Sequence, residues 1–278
     1  MNYRSSGFSG LTPVVKNLLI INVLVFFATY VLDSSLRISL NDLLGLRFFM
    51  ADRFNPIQLV TYMFLHADLT HIFFNMFAVF MFGRILEQVW GGKRFLIFYL
   101  VTGIGAGLVH MVAQYFEVQP FIKAVDACMS QPNHESLVAF LDTYGKPYSF
   151  EAQRLLKGFI DSYNSLAVSD PTSALALSRE FLPQFETEYL NAHLTVGASG
   201  AVFGILLAFG MLFPNVELML LFPPIPIKAK YFVFIYGAIE LFMGVKNFAF
   251  DNVAHWAHLG GMLFGFFLIR YWKNKGIY

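Results

Sequence analysis

Charge is scarce in this chain. Only 13% of its 278 residues are Asp, Glu, Lys or Arg, where a soluble domain carries about 25%. That deficit calls for an apolar solvent, and 33 phenylalanines within a 57% apolar composition agree with it. Net charge is +1, so no bulk electrostatic argument favours a nucleic-acid partner. Cysteine is nearly missing. Cys128 stands alone, which excludes an intrachain disulfide and a cysteine metal cluster, and it lies in a polar stretch with no nucleophile motif around it. Histidine boxes of the desaturase kind are suggested by His66 with His71 and by His255 with His258, but seven histidines are fewer than such a di-iron centre needs. No His-Glu-x-x-His metalloprotease motif occurs. Neither a metal nor a cofactor is expected. The chain also lacks an internal repeat, which weakens a transporter reading.

Long apolar runs are present in quantity. A helix needs roughly 20 mostly apolar residues to cross the hydrocarbon core. Six stretches qualify, at about 14–32, 68–90, 94–117, 194–213, 230–246 and 253–272. The first is too long for a signal-peptide core and no small-x-small cleavage site follows it, so it reads as an uncleaved span. Basic residues in the short flanks set the orientation. Six spans put Arg4 and Lys16, then Arg84, Lys93 and Arg94, then Lys228 and Lys230, then Arg270, Lys273 and Lys275 on one side. These segments hold ten of the 19 basic residues and two acids, Glu87 and Glu217. That side is expected to be the cytoplasm, with both termini in it.

The expectation is therefore an all-α membrane protein. Its membrane part is split into residues 1–118 and 194–278, with an extracytoplasmic insert at 119–193 between the third and fourth helices. The insert is polar, with nine acids against five basic residues. Within it, Leu155, Leu156, Phe159, Ile160 and Tyr163 are spaced for a helix, while Pro171 and Pro183 are expected to break helices. Residues 33–65 mix charge with Leu43, Leu44, Leu46, Phe48 and Phe49 and are expected to lie in the membrane interface. Glu87 with Gly91 is expected to cap a cytoplasmic turn. Gly103, Gly105 and Gly107 are expected to permit close packing of the third span.

An ionisable or polar group inside a membrane is costly and by default marks a functional site. Three clusters qualify. His66, His71 and Asn75 enter the second span, and His71 and Asn75, four apart, share one helix face. Gly197-Ala-Ser199-Gly200 opens the fourth span with Gly204 following, placing Ser199 some five residues inside it. His255-Trp-Ala-His258 opens the sixth, followed by Gly260, Gly261 and Gly265. Taken singly, each has a plain packing explanation: Ser199 as a small contact residue, His66 as an interfacial cap. Together they say more. Small residues spaced by four let helices approach closely. If Gly261 and Gly265 pack on Gly200 and Gly204, His258 comes beside Ser199 at a matching depth. Serine needs a base to become a nucleophile, and histidine is the usual one. Asn75, His71 and the Ser199 amide can donate to an oxyanion. No acid stands where it would orient His258 as aspartate does in a triad, since Asp251 belongs to the preceding loop, so a dyad is expected.

These motifs resemble the rhomboid family of intramembrane serine proteases, over roughly residues 10–118 and 194–275. The family carries two histidines and an asparagine entering its second helix, Gly-x-Ser-Gly in its fourth, and a histidine followed by glycines in its sixth. The resemblance implies a six-transmembrane-helix rhomboid fold and a serine endopeptidase that cuts transmembrane protein substrates near the extracytoplasmic face of the bilayer. It implies Ser199 as nucleophile and His258 as base, with the oxyanion held by Asn75, His71 and the Ser199 amide. His66, Gly197, Gly200 and Gly261 would support the site, and Phe203 would match an aromatic that stacks on the catalytic histidine. Glycines three and seven residues on favour His258 over His255. Phe242, Phe248 and Phe250 would flank substrate entry. Two departures stand out: the long insert, and the absence of a Trp-Arg pair in the first loop, where Arg47 beside Phe48 is the nearest analogue. The partners implied are the lipid bilayer and transmembrane substrates, and the expected location is a bacterial inner membrane. The alternative is a catalytically inactive rhomboid-like protein that binds transmembrane helices. Such proteins typically lack the serine or the histidine, and both are present here.

Overall fold

Helices account for most of the described chain, and four of the longer ones begin on a side-chain cap. The computed structural model describes residues 10–146, 149–219, 224–246 and 253–277. Arg4, Phe248, Phe250 and Asp251, invoked above for orientation, entry and a possible acid, lie outside the described residues. Among those described, the longer helices are α1 (Pro13–Leu36), α2 (Leu69–Trp90), α3 (Gly92–Ser130), α4 (His134–Tyr144), α5 (Phe150–Ala167), α6 (Pro171–Asn191), α7 (Ser199–Leu212), α8 (Ala229–Lys246) and α9 (His255–Asn274). Asp68 accepts from the His71 amide at 2.8 Å to start α2. Asn133 and Ser136 form a reciprocal capping box at α4, and Ser149 and Asp170 cap α5 and α6. Each expected apolar stretch carries a helix. By length and composition α1, α2 and α3 can cross a membrane, whereas α7 is apolar but shorter.

Contacts divide the described chain into two units, one within residues 1–46, 56–110 and 195–278, the other within 47–55 and 111–194. In the first, Glu87 near the end of α2 reaches the start of α1. Its carboxylate accepts from the Val14 amide at 2.9 Å, the Val15 amide at 2.8 Å and the Thr12 hydroxyl at 2.5 Å. These amides have no partner inside their own helix, and an anion there meets the positive end of the helix dipole. Glu87 therefore caps a helix start, where a turn was expected. Within α2, Val79–Gly83 forms a π turn. A short antiparallel hairpin, Glu217–Met219 against Pro226–Lys228, lies between α7 and α8.

The close approach of α7, α3 and α9 positions everything that follows. A Cβ at Gly261 would fall onto the carbonyl of Gly200, and one at Gly265 would stand 3.4 Å from the Gly204 Cα. On another side, Gly200 and Gly204 abut Ala106 and Thr102 of α3. The glycines of α3 do pack tightly: Gly103 against Met63, Gly105 against the Phe264 ring and Gly107 against Leu46. Gly261→Ala is accordingly expected to cost about 1–3 kcal/mol and to lower the melting temperature in detergent by several degrees. Gly265→Ala, whose Cβ meets its nearest neighbours at 3.3–3.4 Å, should lower it less. Thermal unfolding of both variants checks that order.

The second unit has its own core. Phe121, Val125 and Cys128 from the far half of α3 pack with Leu137 and Phe140 of α4, Leu156, Phe159 and Tyr163 of α5, and Phe181, Leu182 and Phe185 of α6. Phe159 stacks on Phe181 at 4.0 Å and Phe121 on Tyr189 at 3.7 Å. Cys128 is buried in this core. Of the residues whose spacing marked α5, Leu156, Phe159 and Tyr163 are buried, Leu155 is half-buried and Ile160 is exposed.

One proline does not behave as expected. Pro171 begins α6, but Pro183 lies inside it, and Pro120 lies inside α3, which runs 13 residues beyond the expected end of the third span. An interior proline costs about 3 kcal/mol or more in lost hydrogen bond and ring clash. Each side chain buried beside it returns about 1.5–3 kcal/mol, and Phe121, Leu182 and Phe185 are almost fully buried. In residues 33–65, Leu46 and Phe48 are buried, while Leu43 and Phe49 are exposed. The Arg47 guanidinium donates to the Asn191 carbonyl inside the second unit.

Candidate active site

Gly197 dictates where α7 begins. Its φ of +130° is a backbone state that only glycine adopts without strain. The helix cannot propagate back through it. Ser199 is thus the first residue of α7, where the sequence put it five residues inside an apolar span. The loop before it is pinned, because the Gly197 amide donates to the Tyr62 carbonyl at 2.9 Å and the Tyr62 hydroxyl donates to the Gly103 carbonyl at 2.7 Å. Among the described residues no side chain caps α7. The Ser199 hydroxyl therefore sits at a bare helix N-terminus, where unpaired amides and the helix dipole favour negative charge.

Ser199 Oγ lies 2.8 Å from His258 Nε2. The meeting follows from the glycines, since Gly200 and Gly261 bring the two backbones together one residue after the serine and three after the histidine. Phe203, one turn along α7, stacks on the His258 ring at 4.2 Å with 10° between planes. The imidazole is thus held flat against an aromatic face and is only 7% exposed.

His71 completes one wall. A Cβ at Gly197 would stand 2.7 Å from His71 Cε1 and Nε2, and 3.7 Å from Ser199 Oγ. The glycine thus also makes room for an imidazole tip close to the serine. His66 packs edge-on against His71, with ring centroids 5.0 Å apart. Asn75 lies one turn beyond His71 on α2, which packs against α7, and is 5% exposed. Its Nδ2 has no hydrogen-bond partner among the described residues, and neither ring nitrogen of His66 has one. A buried donor left unpaired costs about 1–3 kcal/mol, so the Asn75 amide is a group held ready for something.

One neighbour was missed from the sequence, and it corrects the expectation that no acid faces His258. Glu240 of α8 places its Oε2 at 2.8 Å from His258 Nδ1 and at 2.6 Å from His255 Nδ1. The signal was present: Glu240 is the one acid in the apolar run 230–246. Asp251, in the preceding loop, is merely the acid nearer to His258 in sequence. His255, the rival for the base, turns to this carboxylate while His258 meets the serine. Glu240, His255 and His258 are also the one group of three metal-type donors among the described residues, within 4.8 Å of one another. His66 and His71 do not join them, so the paired-box arrangement of a di-iron site does not form.

A helical chain with membrane-length apolar helices and a serine–imidazole contact between glycine-packed helices falls among polytopic membrane proteins. The rhomboid domain model matches residues 53–119 and 155–274, and the chain belongs to the rhomboid family. It is similar to an uncharacterized mitochondrial rhomboid protein of Schizosaccharomyces pombe, 28% identical over 265 residues, or 88% of this chain and 61% of that one. It also resembles the rhomboid protease AarA of Providencia stuartii, 39% identical over 56 residues and 20% of each chain. A third relative is the mitochondrial RHOMBOID-like protein 6 of Arabidopsis thaliana, 42% identical over 52 residues, 19% of this chain and 17% of that one. The chain thus spans about three-fifths of the yeast relative's length and smaller shares of the others. A bacterial inner membrane draws no support from these, since two of the three are named mitochondrial.

Proposed function

We propose that this protein is an intramembrane serine endopeptidase acting on transmembrane segments of other proteins. The observation that carries the reading is the 2.8 Å contact between Ser199 Oγ and His258 Nε2 at an uncapped helix start. Ser199 Oγ attacks the scissile carbonyl carbon while its proton passes to His258 Nε2. The carbonyl electron pair moves to oxygen, and the Ser199 amide, the Asn75 amide and His71 receive that charge. His258 then gives its proton to the leaving nitrogen. Water, activated by the same imidazole, releases the acyl group. His66 steadies His71, Phe203 steadies His258, and Gly197, Gly200 and Gly261 set the distances.

The six apolar helices α1, α2, α3, α7, α8 and α9 form the membrane part in this reading, with both termini in the cytoplasm and residues 119–193 as an extracytoplasmic insert. The excess of basic residues on one set of connections supports that orientation. The bilayer is one partner. The other is a transmembrane segment able to unwind near its extracytoplasmic end, because a helical peptide bond is shielded by its own hydrogen bonds. No metal takes part in these steps.

A serine-directed fluorophosphonate tests the reading. The purified protein in detergent should be labelled on the peptide that carries Ser199, and His258→Ala should slow labelling by about 10²–10⁴-fold. A folded parent protein that takes up no label would end the proposal and leave the helix-binding alternative.

A further inference from the structure

We propose that Glu240 is a positioning residue that fixes the tautomer of His258, making the reactive group a Ser199–His258–Glu240 triad spread over three helices. This rests on the protease reading above and adds an acid from α8 to it.

One carboxylate oxygen, Glu240 Oε2, faces two imidazole nitrogens, His258 Nδ1 at 2.8 Å and His255 Nδ1 at 2.6 Å. A carboxylate can only accept. Both contacts are therefore hydrogen bonds only when each imidazole carries its proton on Nδ1. For His258 that leaves the Nε2 lone pair pointing at Ser199 Oγ, 2.8 Å away, in the one neutral tautomer that can take the serine proton. Among the described residues, Glu240 is the hydrogen-bond partner on the Nδ1 side that chooses between the tautomers of this imidazole. His255 serves the same end from the other direction. Its ring donates to the same oxygen and holds the carboxylate at a fixed place between the first two turns of α9.

Burial makes the arrangement necessary. The side chains of Glu240, His258 and His255 are 10%, 9% and 11% exposed. A carboxylate so placed is expensive unless hydrogen-bonded, and α8 is otherwise apolar around it apart from its ends. Two imidazole donors meet that need. When His258 becomes imidazolium during attack, its positive charge forms directly against Glu240. The acid takes no proton at any step: the proton leaves Ser199 Oγ, resides on His258 Nε2 and departs with the leaving nitrogen.

The placement on α8 matters. Ser199 and His258 are fixed to each other through the contact between Gly200 and Gly261. Glu240 belongs to neither helix. The orientation of the base therefore depends on α8 being seated, a dependence that a two-helix dyad would not have.

Three measurements on the whole protein decide the matter. Glu240→Gln, which keeps the shape and removes the charge, should lower kcat on a transmembrane reporter by about 10²–10⁴-fold with KM within about twofold. Glu240→Asp should keep more activity than Glu240→Gln. Nitrogen NMR of labelled histidine should find His258 protonated on Nδ1 and bare on Nε2 in the parent, and the Nδ1 signals of both His258 and His255 should move in Glu240→Gln. Unchanged kcat in Glu240→Gln, a loss that falls on KM alone, or a parent His258 protonated on Nε2 would overturn the proposal. The spectrum needs no turnover, so it separates this inference from the protease reading. A parent that takes no fluorophosphonate while His258 carries its proton on Nδ1 defeats the reading and leaves the Glu240 contact standing.

Discussion

Replacing Ser199 by alanine is expected to reduce cleavage of a transmembrane reporter to background, a loss of about 10⁶-fold in kcat. The argument is one of position. Ser199 is the first residue of its helix, its Oγ lies 2.8 Å from the imidazole, and its side chain serves no cap. Alanine keeps the Cβ and the best helix propensity, so the fold has no reason to change. The melting temperature should stay where it is while turnover vanishes. His258→Ala should do nearly the same, and the double variant should be no worse than either alone, because two groups acting as a unit do not add. Reporter cleavage in liposomes, with all three variants side by side, is the measurement. Residual turnover in Ser199→Ala near that of the parent would remove the serine from the mechanism.

The second large effect belongs to Asn75. Asn75→Ala is expected to lower kcat by about 10²–10³-fold, the usual loss when one oxyanion donor goes, with KM little altered. Stability should move the other way or not at all. The Asn75 Nδ2 is buried with no partner among the described residues, and removing an unsatisfied buried donor relieves a desolvation cost of about 1–3 kcal/mol. A side chain kept for packing would show the reverse, a lower melting temperature with kcat intact. Parallel kinetics and thermal unfolding of this one variant therefore tell the two roles apart.

Much of this was legible because close helix contacts leave a spacing. Gly261 and Gly265, read with Gly200 and Gly204, pointed to α7 against α9, and those are the backbones found in contact. The helical spacing of Leu156, Phe159 and Tyr163 likewise pointed to α5, whose buried face carries them. Where the reading failed, something nonlocal had intervened. Hydropathy put Ser199 inside a span because it is blind to φ, and Gly197 ends the helix by φ alone. Pro183 is a breaker by local rule, overridden by the burial of Leu182 and Phe185, which no window of sequence displays. Glu240 was overlooked because its partners lie 15 and 18 residues away on another helix. The rule that a charge inside an apolar run needs a reason applied to it as much as to the histidines.

The clamp at Glu87 sets a boundary on how the protein can be trimmed. Its donors among the described residues are Thr12, Val14 and Val15, and Glu87 is 4% exposed. A processing cut upstream of Thr12 leaves the clamp whole. A cut a few residues further on takes away these donors, stranding a buried carboxylate at the foot of the helix that carries His71 and Asn75. Residue 12 is thus the last point to which shortening from the amino end can run without unsettling the joint between α1 and α2.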